Sequence, residues 1–234
     1  MRRALAFLTS VGGAADPDPR ALSWFPLVGA LLGGALGAVW WGAQEMWPPL
    51  VAAVVVVAAD LALTGLLHVD GLADSADGLL PHAPRERRLA IMAEPTVGAY
   101  GVAVVGVVLL LRVAALASLD ANVWLLAGAW SGARTVMAVG ARALPYARPG
   151  GGLASAFLGG DWRTTGVAGL ILAVSLGAIA GGRQPELAVA LGLAAGAGVL
   201  LLARRRLGGF TGDVLGAAGV VTETVALLVA SVRW

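Results

Sequence analysis

Between His68 and Gly78 the chain reads His-Val-Asp-Gly-Leu-Ala-Asp-Ser-Ala-Asp-Gly, placing a histidine and three carboxylates within eleven residues. Asp70, Asp74 and Asp77 are separated by four residues and then by three. On a helix turning about 100° per residue, those side chains fall within roughly a 60° arc. Three aligned acids repel one another unless a cation lies among them. Hard oxygen ligands of this kind suit Mg²⁺, which keeps several waters and binds through carboxylates together with substrate phosphates. A helix start also attracts acids through its dipole, but that needs one acid and not three on one face.

Three further segments carry polar chemistry. Arg204-Arg205-Arg206-Leu207-Gly208-Gly209-Phe210-Thr211-Gly212-Asp213 sets basic residues, paired glycines and Thr-Gly-Asp before a helix start, a natural place for an anion. Asp213 serves there as an N-cap or as a further carboxylate for a metal. The Arg148–Ala154 stretch is Gly-rich, and exposed amides in such a loop can cradle a phosphate as well as form a plain turn. Residues 84–92 read as a short amphipathic helix at headgroup level, its arginines directed to lipid phosphate more than to substrate.

These segments must be positioned by a membrane scaffold. Hydrophobic residues make up 59% of the chain and charged residues 13%, with mean hydropathy +0.84. Soluble domains carry about 25% charged residues, so the chain reads as an integral membrane protein. Apolar stretches of spanning length run over Trp24–Met46, Pro49–Leu67, Val97–Leu119, Val123–Ala141, Thr165–Ala180, Leu187–Ala203 and Val214–Val232. The expected fold is all-α: a polytopic bundle of about seven transmembrane helices with short cytoplasmic interfacial helices, one catalytic domain over residues 1–234. Residues 1–20 form an N-terminal interfacial segment, not a signal peptide, because the apolar run is short and lacks a cleavage boundary. Residues 68–96 form an acidic cytoplasmic loop and 204–213 a second cytoplasmic loop.

With the N-terminus inside, most arginines lie on the inner side and only Arg183 and Arg233 outside, a strong asymmetry. The acid cluster and both basic segments then face the cytoplasm. All 16 basic residues are arginine. They are spread over several loops without interleaved aromatics, which argues against nucleic acid despite a sequence pI near 9.9. There is no cysteine, which excludes disulfides, thiolate metal sites and a cysteine nucleophile. Within the spans, Arg134 with an acid partner, Asp60 or Glu223, is the expected internal pair. Arg112, Asp120 and Glu45 read as boundary residues that snorkel.

Several blocks resemble the cobalamin synthase family, also called adenosylcobinamide-GDP ribazoletransferase. They are Phe7-Leu8-Thr9, Phe25-Pro26-Leu27-Val28-Gly29, the run His68–Gly78, Gly98-Ala99-Tyr100-Gly101 and Gly208–Ala217, in the family's order over nearly the whole chain. The resemblance implies an inner-membrane enzyme that requires Mg²⁺. It joins α-ribazole or its 5′-phosphate to adenosylcobinamide-GDP, releasing GMP and giving adenosylcobalamin or its phosphate. A homo-oligomer, or an assembly with other cobalamin-biosynthesis enzymes, is compatible with it. On this reading Asp70, Asp74 and Asp77 hold the metal, with Asp213 and Glu94 as further ligands. His68 takes the acceptor hydroxyl proton or orients a ligand. Arg148, Arg204, Arg205 and Arg206 offer donors to phosphate beside Gly208, Gly209 and Thr211.

Two departures stand out. Glu94-Pro95 occupies the place of the family's usual Asp-Ser pair, and Val220 replaces the first of two later polar residues, leaving Glu223. A CDP-alcohol phosphotransferase also presents clustered aspartates, but its spacing differs: here Asp74 stands where that pattern has Arg, and Asp77 follows too soon. A small transporter would use Asp60, Arg134 and Glu223 as an ion path, yet the two halves of the chain show no repeat.

Overall fold

Among the described residues ten helices follow one another: α1 (Arg2–Leu8), α2 (Phe25–Met46), α3 (Pro49–Leu63), α4 (Leu67–Leu79), α5 (Arg85–Ile91), α6 (Ala99–Ala117), α7 (Val123–Ala143), α8 (Trp162–Ile179), α9 (Arg183–Leu207) and α10 (Gly212–Ala230). Short 3₁₀ turns occupy Pro19–Trp24 and Leu153–Phe157, and no strand occurs among the described residues. The structure is a computed structural model that describes residues 1–11, 13, 18–148 and 150–232. Part of the expected N-terminal interfacial segment, residue 149 of the Gly-rich stretch, and Arg233 on the expected outer side lie outside the described residues.

Glycine spacing builds the central pair. Gly29, Gly33 and Gly37 recur every fourth residue on α2 and form one stripe. A Cβ on the first two would collide with the Trp130 and Leu126 carbonyl oxygens, so the α7 backbone lies directly on that stripe. Small residues at this spacing are what let membrane helices approach closely. Every residue of α7 from Leu125 to Ala138 is buried, enclosed by α2, α8, α9 and α10.

Among the described residues, five helical segments are long and apolar enough to cross a bilayer alone: α2 with its preceding turn, α6, α8, α9 and α10. The expectation of about seven spans needs two qualifications. Helix α7 has 21 residues, but Ser131, Arg134 and Thr135 lower its hydropathy, which costs little because it is shielded from lipid. Helix α3 has 15 residues, about 22 Å at 1.5 Å per residue, and meets the length requirement only together with α4, from which it is bent by 89°. The bend falls at Gly65 and Leu66, both left-handed (φ 58° and 59°). The expected span Pro49–Leu67 therefore ends four residues early. With three acids and a histidine in 13 residues, α4 suits the end of the bundle, beside the starts of α6 and α10, and not the hydrocarbon interior.

Helix α1 docks against that end. Ala4 and Leu8 are buried, and Phe7 packs edge-on to Phe157 and stacks with Phe25. The Ser10 amide donates to the Leu63 carbonyl at 2.8 Å and its hydroxyl to the Ala62 carbonyl at 2.9 Å, closing the C-terminus of α3.

The buried charges pair across four helices. Arg112 donates to Asp60 Oδ2 at 2.9 Å, Glu223 Oε2 at 2.5 Å, Thr224 Oγ1 at 2.9 Å and the Val220 carbonyl at 3.0 Å. Arg134 pairs with the other Glu223 oxygen, and Trp130 Nε1 donates to Asp60 Oδ1 at 3.0 Å. The expected Arg134–acid pair is present. The expectation that Arg112 snorkels is overturned: it is 2% exposed because it points inward at two carboxylates. Two acids against two guanidiniums leave the cluster neutral, a pin through α3, α6, α7 and α10.

Candidate active site

Helices α4 and α10 cross at glycine. A Cβ on Gly71 would lie 2.8 Å from the Asp213 carbonyl oxygen, and one on Gly216 would lie 3.2 Å from His68 Cα. This approach sets the acids of α4 beside the start of α10. Thr211 caps α10 by accepting from the Val214 amide at 3.3 Å and donates to Asp213 Oδ2 at 3.2 Å. The segment before α10 is anchored in turn: the Phe210 amide donates to the Pro145 carbonyl at 2.9 Å, and the Ala147 amide to the Phe210 carbonyl at 2.8 Å. Arg148 is thereby carried to the same place, where it donates to Asp213 Oδ2 at 2.7 Å and to the Met92 carbonyl at 3.0 Å.

The result is one pocket of about 340 Å³ lined by Asp70, Asp74, Glu94, Arg148 and Asp213, with the rest of the 92–97 turn as its rim. Four carboxylates face one guanidinium that Asp213 already engages. Burial, and then the charges of Asp213 and Asp70, raise the Asp74 carboxyl to about 6. Asp70 is exposed and Asp74 half-buried, so both can be reached. Glu94 pairs with Arg87 at 3.1 Å.

This donor set fits Mg²⁺. Its oxygens are hard, and four carboxylates share the pocket with a single guanidinium. Among the described residues no three acids or histidines converge closely enough to enclose an ion alone. Completing the shell with water and substrate phosphate is how Mg²⁺ is ordinarily held.

Asp77 takes another part. It shares the α4 arc, but its Oδ2 accepts the Gly98 amide at 2.7 Å and its Oδ1 the Gly101 amide at 3.0 Å, where α6 begins. It is not among the residues lining the acid pocket. The glycines matter because a Cβ on either would come within 2.5 Å of the carboxylate. Gly98 and Gly101 stand out in the sequence only as a family block; their contact with Asp77 is the physical reason for that block.

His68 is 5% exposed, and neither ring nitrogen has a partner. It lines a small cavity of about 80 Å³ together with Asp70 and Asp213, next to the acid pocket.

The other basic and glycine residues are placed differently. Arg206 reaches the Leu79 carbonyl at the end of α4. Arg204 and Arg205 are exposed on the last turn of α9, and neither lines the acid pocket. Gly208 is left-handed (φ 76°) and ends α9, and Gly209 packs on Pro145. The 204–213 segment is therefore a helix end, a turn and a cap that aim Asp213, not an open loop. Likewise 68–96 is mostly helix. The expectation that the α5 arginines face lipid is corrected for two of them. Arg85 donates to the Leu207 and Ala147 carbonyls at 2.7 and 2.8 Å, and Arg88, 7% exposed, to the Gly78 and Leu79 carbonyls at 2.8 Å. All but the Ala147 carbonyl lie in the last turns of α4 and α9, where carbonyls are left open.

Fold and site together define a polytopic helical membrane protein with an acidic, metal-suited pocket at one end of its bundle. The family model described as Cobalamin-5-phosphate synthase matches residues 1–231, and the chain belongs to that family. It is 39% identical over 238 residues to a protein of Chlorobium phaeovibrioides named adenosylcobinamide-GDP ribazoletransferase, covering 99% of this chain and 95% of the relative. Proteins of the same name from Leptothrix cholodnii and Roseiflexus sp. are 40% and 37% identical, covering 87% and 89% of this chain and 81% and 78% of the relatives. No solved structure matches the chain.

Proposed function

We propose that this chain joins α-ribazole, or its 5′-phosphate, to adenosylcobinamide-GDP, releasing GMP and giving adenosylcobalamin or its phosphate. Full-length family membership and the relatives' names support the reading. The observation that carries it is the single pocket in which Asp70, Asp74, Glu94 and Asp213 meet Arg148. In the transfer, the acceptor hydroxyl oxygen bonds to the phosphorus that stays with the corrinoid. The bond from that phosphorus to the oxygen leaving with GMP breaks, and the hydroxyl proton is taken up.

Asp70, Asp74 and Asp213 would hold Mg²⁺, with Glu94 at the rim. When bound, the ion supplies neutralisation of the diphosphate and of the leaving group. Arg148, tethered to Asp213 and with its Nε free of a partner, can turn donors to a phosphate oxygen and orient it. His68 has two open nitrogens on the cavity it shares with Asp70 and Asp213, and we assign it the acceptor proton.

The acid pocket opens at the end of the bundle that carries most arginines, so that end is assigned to the cytoplasm; family membership supports the inner membrane as its location. The chain lacks cysteine, so an Arg87→Cys variant labels uniquely. Labelling from the cytoplasmic side supports this orientation; labelling only from outside contradicts it.

The reaction is tested with purified protein, adenosylcobinamide-GDP, α-ribazole and Mg²⁺, following the corrinoid product by mass. Adenosylcobalamin formation supports the reading. GMP or GDP release without joining would make the chain a hydrolase and sink it.

A further inference from the structure

Asp70 borders cavities of opposite character. On one side is the acid pocket; on the other, a groove of about 460 Å³ runs between α4 and α6. The groove walls include Leu66, Val69, Ala73, Val102 and Val105, and Asp70 is the one polar side chain among its described lining residues. Asp70 and Val97 belong to both linings, so the two spaces adjoin at these residues. Gly101 and Gly106 leave the α6 side of the groove flat. The volume lies within the roughly 300–1,000 Å³ typical of small-molecule sites.

We propose that this groove receives the aromatic base of the acceptor nucleoside, directing its ribose hydroxyl past Asp70 into the acid pocket. The inference rests on the function proposed above and adds where the acceptor lies. The two substrates differ sharply in character. A diphosphate is polyanionic and belongs with the acids, their cation and Arg148. The acceptor is a benzimidazole carried on ribose, a flat apolar ring system with one reacting hydroxyl nearby. A groove without a cation on its walls excludes the diphosphate and suits the ring. Asp70 also argues against a lipid tail as occupant: an acyl chain would strip water from the carboxylate and return no hydrogen bond, whereas a ribose brings hydroxyl donors to it. A 5′-phosphate, where present, points out of the groove for the same reason of charge.

Gly106 supplies the test. A Cβ built there meets nothing within 4 Å, so a side chain can be added at this wall of the groove without a backbone clash. Gly106→Ala, Gly106→Leu and Gly106→Phe form a graded series in the intact protein. The expected result is a KM for α-ribazole that climbs with side-chain size, by about tenfold or more for Phe. The KM for adenosylcobinamide-GDP and the half-saturating Mg²⁺ concentration should stay unchanged. Equilibrium dialysis of α-ribazole alone against the same proteins should follow the same order, and it is readable even if no product forms. An acceptor KM and an α-ribazole affinity that ignore the series overturn the proposal, as does an equal rise in both substrate KM values. Loss of co-purified lipid across the series with acceptor binding unmoved would assign the groove to a lipid tail instead. If the wild type makes no cobalamin yet binds α-ribazole in a Gly106-dependent way, the reaction assignment fails and the groove assignment stands.

Discussion

Gly71 of α4 lies against the main chain of Asp213 at the start of α10, where a Cβ would stand 2.8 Å from the Asp213 carbonyl oxygen. Asp213 and the acids of α4, 139 and 143 residues apart in sequence, are held in one pocket by this contact between two backbones. Gly71→Val should force the helices apart, at about 1–3 kcal/mol for overpacking. A lower melting temperature in detergent and weakened Mg²⁺ binding are both expected. Unchanged Mg²⁺ binding would mean that Asp213 is not part of the metal set.

The acids of α4 should separate by role. Asp77 holds two amides where α6 begins, so Asp77→Ala should cost about 1–3 kcal/mol for donors left without a partner. Asp74→Asn should instead leave the metal-free protein as stable or more stable, since it removes a charge repelled by Asp213 and Asp70, while abolishing turnover. Thermal melts of the two variants in EDTA check this; equal destabilisation by both would contradict it.

The raised Asp74 carboxyl gives a signed dependence on pH. Its folded-state value of about 6 lies above the ordinary 3.8. Its contribution to the stability of the metal-free protein is therefore complete below pH 3.8 and is lost as pH rises through about 6. Mg²⁺ needs the ionised carboxylate, so its affinity should rise over the same interval and level off above it. Calorimetric titration with Mg²⁺ between pH 5 and 8 reads this directly, and a flat affinity would remove Asp74 from the ligand set.

The neutral cluster of Asp60, Arg112, Arg134 and Glu223 is expected to act in folding alone. Arg112→Ala strands Asp60 and one Glu223 oxygen in the interior, and breaking such a buried pair costs about 3–5 kcal/mol. Poor membrane accumulation is expected, with near-normal KM values in whatever folded protein is recovered. A folded variant with a selectively raised substrate KM would place Arg112 in substrate binding.

How much was legible in the sequence varies from residue to residue. The spacing of Asp70 and Asp74 gives their shared face directly, because both lie on one uninterrupted helix. Asp77 fits the same arc, and nothing in spacing reveals that the start of α6 claims it. Arg112 reads as a boundary residue by position along its span; its inward direction depends on where α3 and α10 lie. The arginines of α5 have an amphipathic pattern, but pattern cannot distinguish a lipid phosphate from the carbonyls ending α4 and α9. The contact of Arg206 is hidden for the same reason: its partner, the Leu79 carbonyl, is 127 residues away. The α2 stripe of Gly29, Gly33 and Gly37 is visible in sequence, while its target, α7, is set by tertiary packing.

The most direct test of the acid pocket as the site of transfer is Mg²⁺-dependent GMP release by the wild type and by Asp74→Asn. Both would be given adenosylcobinamide-GDP and α-ribazole, with and without EDTA. The account predicts GMP in one-to-one yield with adenosylcobalamin, lost in EDTA and lost in a variant that keeps the wild-type elution profile and melting behaviour. Full activity in a well-folded Asp74→Asn protein would contradict it.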